Sequence, residues 1–431
     1  MSQKIDSQKI AIISTILVAV LLVVGITAVA QTQPAERINC TAGMADVYPC
    51  KNVDLLAHMP LSAIGAEDET VKGSDHWGWT DPETGRDYVL FTLTNGISFI
   101  DITDRHNPVY LGKLSSHVPG EISTWWDVKV YQNVAYIIGD VPTNNGLQMF
   151  DLTQLRDVQN PPVMFSETAH YDGFGPGHNL WINEESGYLY LFRTDVCQTI
   201  TIFNLANPLA PQPEGPAANG CFVDEPVDEI VSDGECVNYR GLDADYQGRE
   251  ICFIGSDATL SVADVTDKAA PVVITGTLKY PGIRRAHQGV LTEDQRFWLV
   301  SDVMDEPINI HNTRTYLWDM ADLDQPSYLG FYESSSPARD HNVYIVDHFA
   351  IQTNWNAGLR ILDLRRLPET HLQEVAYFDI VPETDSPSPD GAWSNYPWWD
   401  DGVVTVSGTK EGLFILQPRL NQQFLSVIFG S

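Results

Sequence analysis

Four phrases place a histidine at the head of a short apolar run: "DHWGWT" (75–80), "GHNLWI" (177–182), "AHQGVL" (286–291) and "DHNVYI" (340–345). The chain has 11 histidines, so His76, His178, His287 and His341 are a large share of them. Asn179, Gln288 and Asn342 follow three of the four directly, and Asp127 and Asp233 fall at the same level of two related phrases, "WWDVKV" and "SDGECV". Neutral imidazoles converging from several segments can bind zinc or another divalent transition metal, with carboxylates completing the shell. They can equally act as general acid and base beside a bound ligand. The plain structural alternative is that they bond to carbonyls of neighbouring strands around ordered water. No pair shows the HxxxH spacing of ligands on one helix face, so a divalent metal is the cofactor candidate without a dedicated motif.

The elements that must position these residues are set by a repeat. "GLRILD" (358–363) recurs as "GISFID", "GLQMFD", "TITIFN", "TLSVAD", "RTYLWD" and "GLFILQ", ending at Asp101, Asp151, Asn204, Asp264, Asp319, Asp363 and Gln417. The copies return about every 50 residues. A period-2 run of β-branched and aromatic residues precedes each, as in "YLYLFRT" and "RFWLVSD", which is the pattern of a strand. After most copies a proline phrase opens another strand, as in "NPVYLGKL" and "APVVITGTL", where a missing N–H costs no ladder bond. The repeated Asp or Asn is expected to bond its own backbone two residues on and start a turn. Helical repeats are disfavoured, because the apolar period is 2.

Seven such units predict an all-β fold, a seven-bladed β-propeller of four-stranded blades. The last repeat, "AWSNYPWWDDGVVTVSGTKEGLFILQ", lacks a proline-led outer strand, while "NVDLLAHMPL" (52–61) stands upstream of the first blade. Residues 53–59 are therefore expected to supply the outer strand of the last blade and close the ring, removing an open edge. The histidine phrases then begin the innermost strands and crowd one mouth of the central channel. The tryptophan pairs at 125–126 and 398–399 are candidates either for the rim of a binding mouth or for core between blades.

Formal net charge is −32, with 25 basic against 57 acidic residues; nucleic acid is a poor partner for such a surface. Lys4 and Lys9 precede residues 10–30, which carry no charge, and "AVAQ" (28–31) offers a small-x-small cleavage pattern. Residues 1–30 thus read as a signal peptide or an uncleaved N-terminal membrane anchor, and either delivers the rest outside the cytoplasm. Residues 31–51 form a short cysteine-containing lead-in, 52–418 the propeller and 419–431 a tail. Six cysteines allow 15 pairings; their local grouping makes Cys40–Cys50, Cys197–Cys221 and Cys236–Cys252 the simplest set. "DADYQGRE" (243–250) is only loosely like a calcium loop and sits where a hairpin turn is needed. No GxSxG, P-loop or Rossmann fingerprint is present.

The repeats, with "AHQGVLTEDQRFWLVSD", "TRTYLWDMADLDQPSYLG", "ARDHNVYI" and "YQGREICFIGSDATLSVADVTDK", resemble the choice-of-anchor B family, LVIVD-repeat β-propellers of bacterial and archaeal cell surfaces. The resemblance spans about residues 40 to 418. It implies an exported propeller held at the surface by an anchor, here the N-terminal segment, and it brings no established reaction. Two functions are open on this reading. One is an exported binding module that takes a protein, glycan or small ligand at a channel mouth. The other is an extracytoplasmic metal-assisted hydrolase or lyase using the histidine ring.

Overall fold

A computed structural model describes residues 37–141, 143–222 and 230–420. The N-terminal targeting segment expected at residues 1–30 and most of the tail lie outside the described residues. Among the described residues no helix is long and apolar enough to cross a membrane.

Seven four-stranded antiparallel sheets form a ring, a β-propeller. Their first strands are Gly73–Thr80, Trp126–Tyr131, Gly177–Asn183, Val231–Asn238, Ala286–Leu291, Val343–Val346 and Ala392–Tyr396 for blades 1 to 7. Each packs beside the first strand of the next blade, and the seventh beside the first. The second and third strands are buried along nearly their whole length, as in Tyr88–Leu93 and Val134–Gly139. The period-2 alternation explains this, because successive side chains enter opposite blade boundaries. Tyr88 and Leu90 pack towards blade 2 with Val128 and Ile137, whereas Val89 and Phe91 pack towards blade 7 with Leu413 and Ile415. A hydrophobic cluster of this kind fills every one of the seven boundaries.

The repeated phrase is the third strand of every blade. Its terminal carboxylate or amide accepts the backbone N–H two residues on in six blades: Asp101 from Thr103, Asp151 from Thr153, Asn204 from Ala206, Asp264 from Thr266, Asp319 from Ala321 and Asp363 from Arg365. The seventh copy ends in Gln417, whose amide instead donates to the Gly402 carbonyl. The glycine that opens the phrase also has a cause. Gly412 has φ +91°, and a Cβ there would come within 2.1 Å of the Met59 carbonyl oxygen on the closing strand.

Val53–Met59 pairs antiparallel with Gly412–Pro418, from Val53 opposite Pro418 to Met59 opposite Leu413. The closing strand stands where the sequence puts it. The lead-in does more than precede it: Tyr48–Lys51 adds to the outer edge of blade 6 beside Gln373–Phe378, and Met44–Ala45 pairs with it in turn. Cys40–Cys50 ties that lead-in, Cys197–Cys221 holds a short outer strand on blade 3, and Cys236–Cys252 joins the two inner strands of blade 4. There is no free cysteine. Three disulfides of this kind fit an oxidising environment.

Candidate functional site

The first strands run side by side in the same direction. Contacts pair heads with heads and tails with tails: the Trp126 N–H donates to Ser74 at one end, and the Asn183 amide to Asn238 at the other. The channel therefore has a head mouth and a tail mouth.

At the head mouth His178, Asn179, Asp127, Asp233, His287, Gln288, His341 and Asn342 line one cavity. It encloses about 20 Å³, room for one guest of water size. His287 and His341 stand with ring centroids 4.6 Å apart. The His341 Nδ1–H donates to the Trp393 carbonyl at 2.6 Å, and the His178 Nδ1–H donates to the Asp140 carboxylate at 3.3 Å. His287 Nδ1 is buried with no hydrogen-bond partner. All three rings are held neutral. Burial lowers the pKa of His341 to about 4, and burial with the neighbouring imidazoles takes His287 well below its ordinary value. Burial also lowers His178. Neutral rings with oriented N–H groups resemble metal ligands. Yet among the described residues no three donors of this cavity bring ligand atoms within 4.8 Å of one another, so no ion cage is preformed.

Four of the expected site residues turn out to stitch blades together. Asp127 accepts the Leu180 N–H, and Gln288 accepts the Val343 N–H. The Asn179 amide donates to the Ser232 carbonyl, and the Asn342 amide to Ser394 Oγ. Glu235, unremarked in the sequence, repeats the motif by accepting the Leu291 N–H. All but the Asn342 bond satisfy backbone groups that a ring of first strands leaves unpaired on its inner edge.

His76 does not share the cavity of the other three, contrary to the sequence expectation. A β-bulge between Gly73 and His76 inserts one residue into the strand and turns the following side chains to the other face. His76 therefore lies in the boundary with blade 7, its Nε2 3.0 Å from Thr405 Oγ1, fully buried and with a pKa lowered by burial to about 3. Asp75 takes its place in the channel.

Asp75 belongs to a charged plug midway along the channel. The Lys129 ammonium donates to Asp127 Oδ1 at 2.5 Å and to Asp75 Oδ2 at 3.2 Å, and sits 4.6 Å from the centre of the Trp77 ring. Burial opposes every charge here. It is outweighed at Lys129 by the two carboxylates, and at Asp75 by the Lys129 ammonium together with hydrogen bonds from Asp127, Ser394 and the His76 backbone, so Lys129 stays charged and Asp75 sits below its ordinary value. At Asp127 burial wins and raises the pKa to about 7. Asp233, buried beside the Asp127 carboxylate, is raised well above the usual range and is neutral.

Below the plug the channel opens again into a cleft of about 350 Å³, lined by Trp77, Lys129, Val130, Trp181, Ile182, Glu184, Tyr396 and Trp398. Its aromatic rings touch one another: Trp77 lies 5.2 Å from Tyr396 and 5.4 Å from Trp398, and Tyr344 lies 4.9 Å from Trp398. The two tryptophan pairs split between the roles foreseen for them. Trp125 and Trp398 are exposed at the two rims, while Trp126 and Trp399 are buried core. The sequence signal for this cleft was the aromatic residue near the tail of the first strands of blades 1, 3 and 7, Trp77, Trp181 and Tyr396, a pattern shared with ordinary core.

No family model and no curated protein matches this chain. Among solved structures it is similar to the Myceliophteria thermophila Cps50 (Swd1) beta-propeller domain, at 9% identity over 81% of this chain and 99% of that one, with a TM-score of 0.50. It also aligns with the computationally designed Ika8 protein, at 9% identity over 80% of this chain and 83% of that one, with a TM-score of 0.47. At such identity the first likeness speaks to the fold alone.

Proposed function

We propose that this chain is an exported, surface-held binding propeller of the choice-of-anchor B type, and that its recognition site is the aromatic cleft at the tail mouth of the channel. The observation that carries the reading is the contrast between the two mouths. The head mouth encloses room for a single water, whereas the tail cleft, about 350 Å³, has the size of a small-ligand site and the mix of aromatic walls with few polar groups that such sites use. Export is supported by the three disulfides and by the uncharged N-terminal run preceded by lysines.

The ligand class follows from charge. Tryptophan faces attract cations, but the Trp77 face already holds the Lys129 ammonium, so a second cation would meet a like charge. The ammonium is itself neutralised by Asp75 and Asp127, which leaves little to draw an anion. A neutral ring with an apolar face and polar edges fits best, which is the chemistry of a glycan residue, with the exposed Glu184 available to its hydroxyl groups. The test is titration of the full-length protein with a panel of neutral oligosaccharides, followed by tryptophan fluorescence and calorimetry. Binding by at least one neutral sugar is expected, with at least a ten-fold loss in Trp398→Ala and none in Trp125→Ala at the other mouth. Absence of binding across the panel, or binding indifferent to Trp398, would overturn the assignment.

A further inference from the structure

Outside the channel, among the described residues, two clusters bring three potential ligands together, the carboxylates Asp243, Asp322 and Asp324 and a mixed imidazole–carboxylate set. His117, Glu167 and His170 bring a ring nitrogen, a carboxylate oxygen and a second ring nitrogen within 4.8 Å of one another. His117 Nδ1 is 2.8 Å from Glu167 Oε1, and the two imidazoles face each other with centroids 3.6 Å apart. His117 follows the outer strand of blade 1, Val109–Ser115. Glu167 and His170 belong to an excursion of blade 2. After its third strand the chain runs through Leu152–Asp157 and adds Val163–Phe165, parallel, to the outer strand of blade 1. It then returns as Ala169–Tyr171, the fourth strand of blade 2.

The groups behind the cluster orient it. His170 Nε2–H donates to the Asn145 carbonyl at 2.7 Å, which leaves Nδ1 with its lone pair. Glu167 Oε2 accepts from the Gln148 amide at 2.9 Å, which leaves Oε1 to face His117. Gln148 is buried and also donates to the Ser115 carbonyl, so the carboxylate is held from the protein interior. An acceptor for the N–H of the second ring nitrogen and a donor to the second carboxylate oxygen are the hallmark of ligands held for a metal. In a tetrahedral zinc site with bonds near 2.0–2.1 Å, neighbouring donor atoms lie roughly 3.3 Å apart, close to the His117–Glu167 separation. His117 is exposed, so its ring can leave the stack by rotating about its own side-chain bonds.

We infer that His117, Glu167 and His170 form a binding site for a divalent transition metal, with zinc the best-matched ion and the fourth position open to solvent. Two imidazoles and one carboxylate are a donor set that favours zinc, copper or nickel over calcium or magnesium. The ion would clip the blade 2 excursion to the end of blade 1. The inference stands apart from the channel, and its failure would leave the glycan reading untouched.

The test uses full-length protein made without a histidine tag, dialysed against zinc and then analysed for metal content and by calorimetry. One zinc per chain is expected, with affinity falling in acid because ligating imidazoles must be deprotonated. At zinc one hundred times its Kd, Tm should rise by roughly 3 °C. His117→Ala, at an exposed position that the fold does not need, should weaken zinc at least 100-fold, and Glu167→Gln about ten-fold. His287→Ala and His341→Ala should keep the ion. Absence of zinc binding by the native protein, or unchanged binding in His117→Ala, would overturn the site. So would loss of zinc in His287→Ala with retention in His117→Ala, which would move the metal to the channel.

Discussion

Replacing Lys129 by methionine isolates the physics of the channel plug. The substitution keeps most of the side-chain volume and removes one charge. Two buried carboxylates, Asp75 and Asp127, then lose the ammonium that lies 3.2 and 2.5 Å from them. Breaking a buried pair by deleting one partner costs about 3–5 kcal/mol. The cost must depend on pH, and its sign can be worked out. In the native protein Asp75 is depressed, since burial, the largest single influence, is outweighed by the Lys129 ammonium together with hydrogen bonds from Asp127, Ser394 and the His76 backbone. Its stabilisation is therefore present above the unfolded value and is lost as pH falls through the folded one. Without Lys129, burial, the largest single influence, is opposed only by hydrogen bonds from Asp127, Ser394 and the His76 backbone, so its folded pKa rises above the unfolded one. Its stabilisation is then full below the unfolded value and is lost as pH rises. Over three pH units one such carboxyl accounts for about 4 kcal/mol. Urea melts at pH 7.5 and 4.5 should thus show a penalty of about 3–5 kcal/mol at the higher pH, shrinking to about 1 kcal/mol or less at the lower. If Lys129→Met fails to fold at pH 7.5, the Asp75→Asn, Lys129→Met double variant should restore a cooperative melt. An equal penalty at both pH values, or a double variant no better than the single, would refute the assignment of Asp75 as the charged partner.

Two further outcomes follow from the fold. A chain starting at residue 65 loses the closing strand and with it the buried Val53, Leu55, Leu56 and Met59; at 1.5–3 kcal/mol each this is roughly 6–12 kcal/mol, comparable to the whole stability of a domain. It should lack a cooperative melt, and a Tm equal to that of the full chain would show that the ring does not depend on this strand. His76→Gln removes a group whose folded pKa, near 3 because of burial, lies below its unfolded value of about 6.5. The neutral ring's contribution is present above pH 6.5 and fades as pH falls, so between pH 6.5 and 5 the variant should lose about 2 kcal/mol less stability than the native protein. Parallel pH profiles of urea-melt stability would place His76 in contact with water instead.

What the sequence makes legible here is what depends on distance along a strand. The turn aspartates recur because a short side chain can reach the N–H two residues on, and the structure shows that bond at Asp101 and Asp363 alike. Ring closure is legible because the final repeat is one strand short and an unattached strand stands at the other end of the chain. The face on which a residue lies is less legible. Blades 1, 4, 5 and 7 each carry a bulge near the head of the first strand, and one inserted residue exchanges channel for boundary. His76 follows the bulge of blade 1 and faces blade 7, whereas Asp75 within that bulge and His287 within the bulge of blade 5 line the channel, as do His178 and His341. Amide and carboxylate chemistry was ambiguous for another reason. Asp127, Asn179, Gln288 and Asn342 are the residue types of a polar site, but they are also the types that can bond across a blade boundary, the first three to backbone groups and Asn342 to the Ser394 hydroxyl.

The two remaining sites were hidden by different physics. Trp77, Trp181 and Tyr396 sit at strand positions where a propeller ordinarily stores core, so their types carry no signal until the shape of the channel shows that the tail end does not close over them. His117, Glu167 and His170 are hidden by topology. They come together only because Val163–Phe165 leaves its own blade and joins the neighbour in parallel, a pairing that no hairpin rule proposes, since parallel strands need a crossover connection. The same excursion is a segment of the ring whose path departs from the repeat. A metal at its return would therefore act on a part of the fold that the repeat does not itself specify, joining by coordination what the other blades join by short turns.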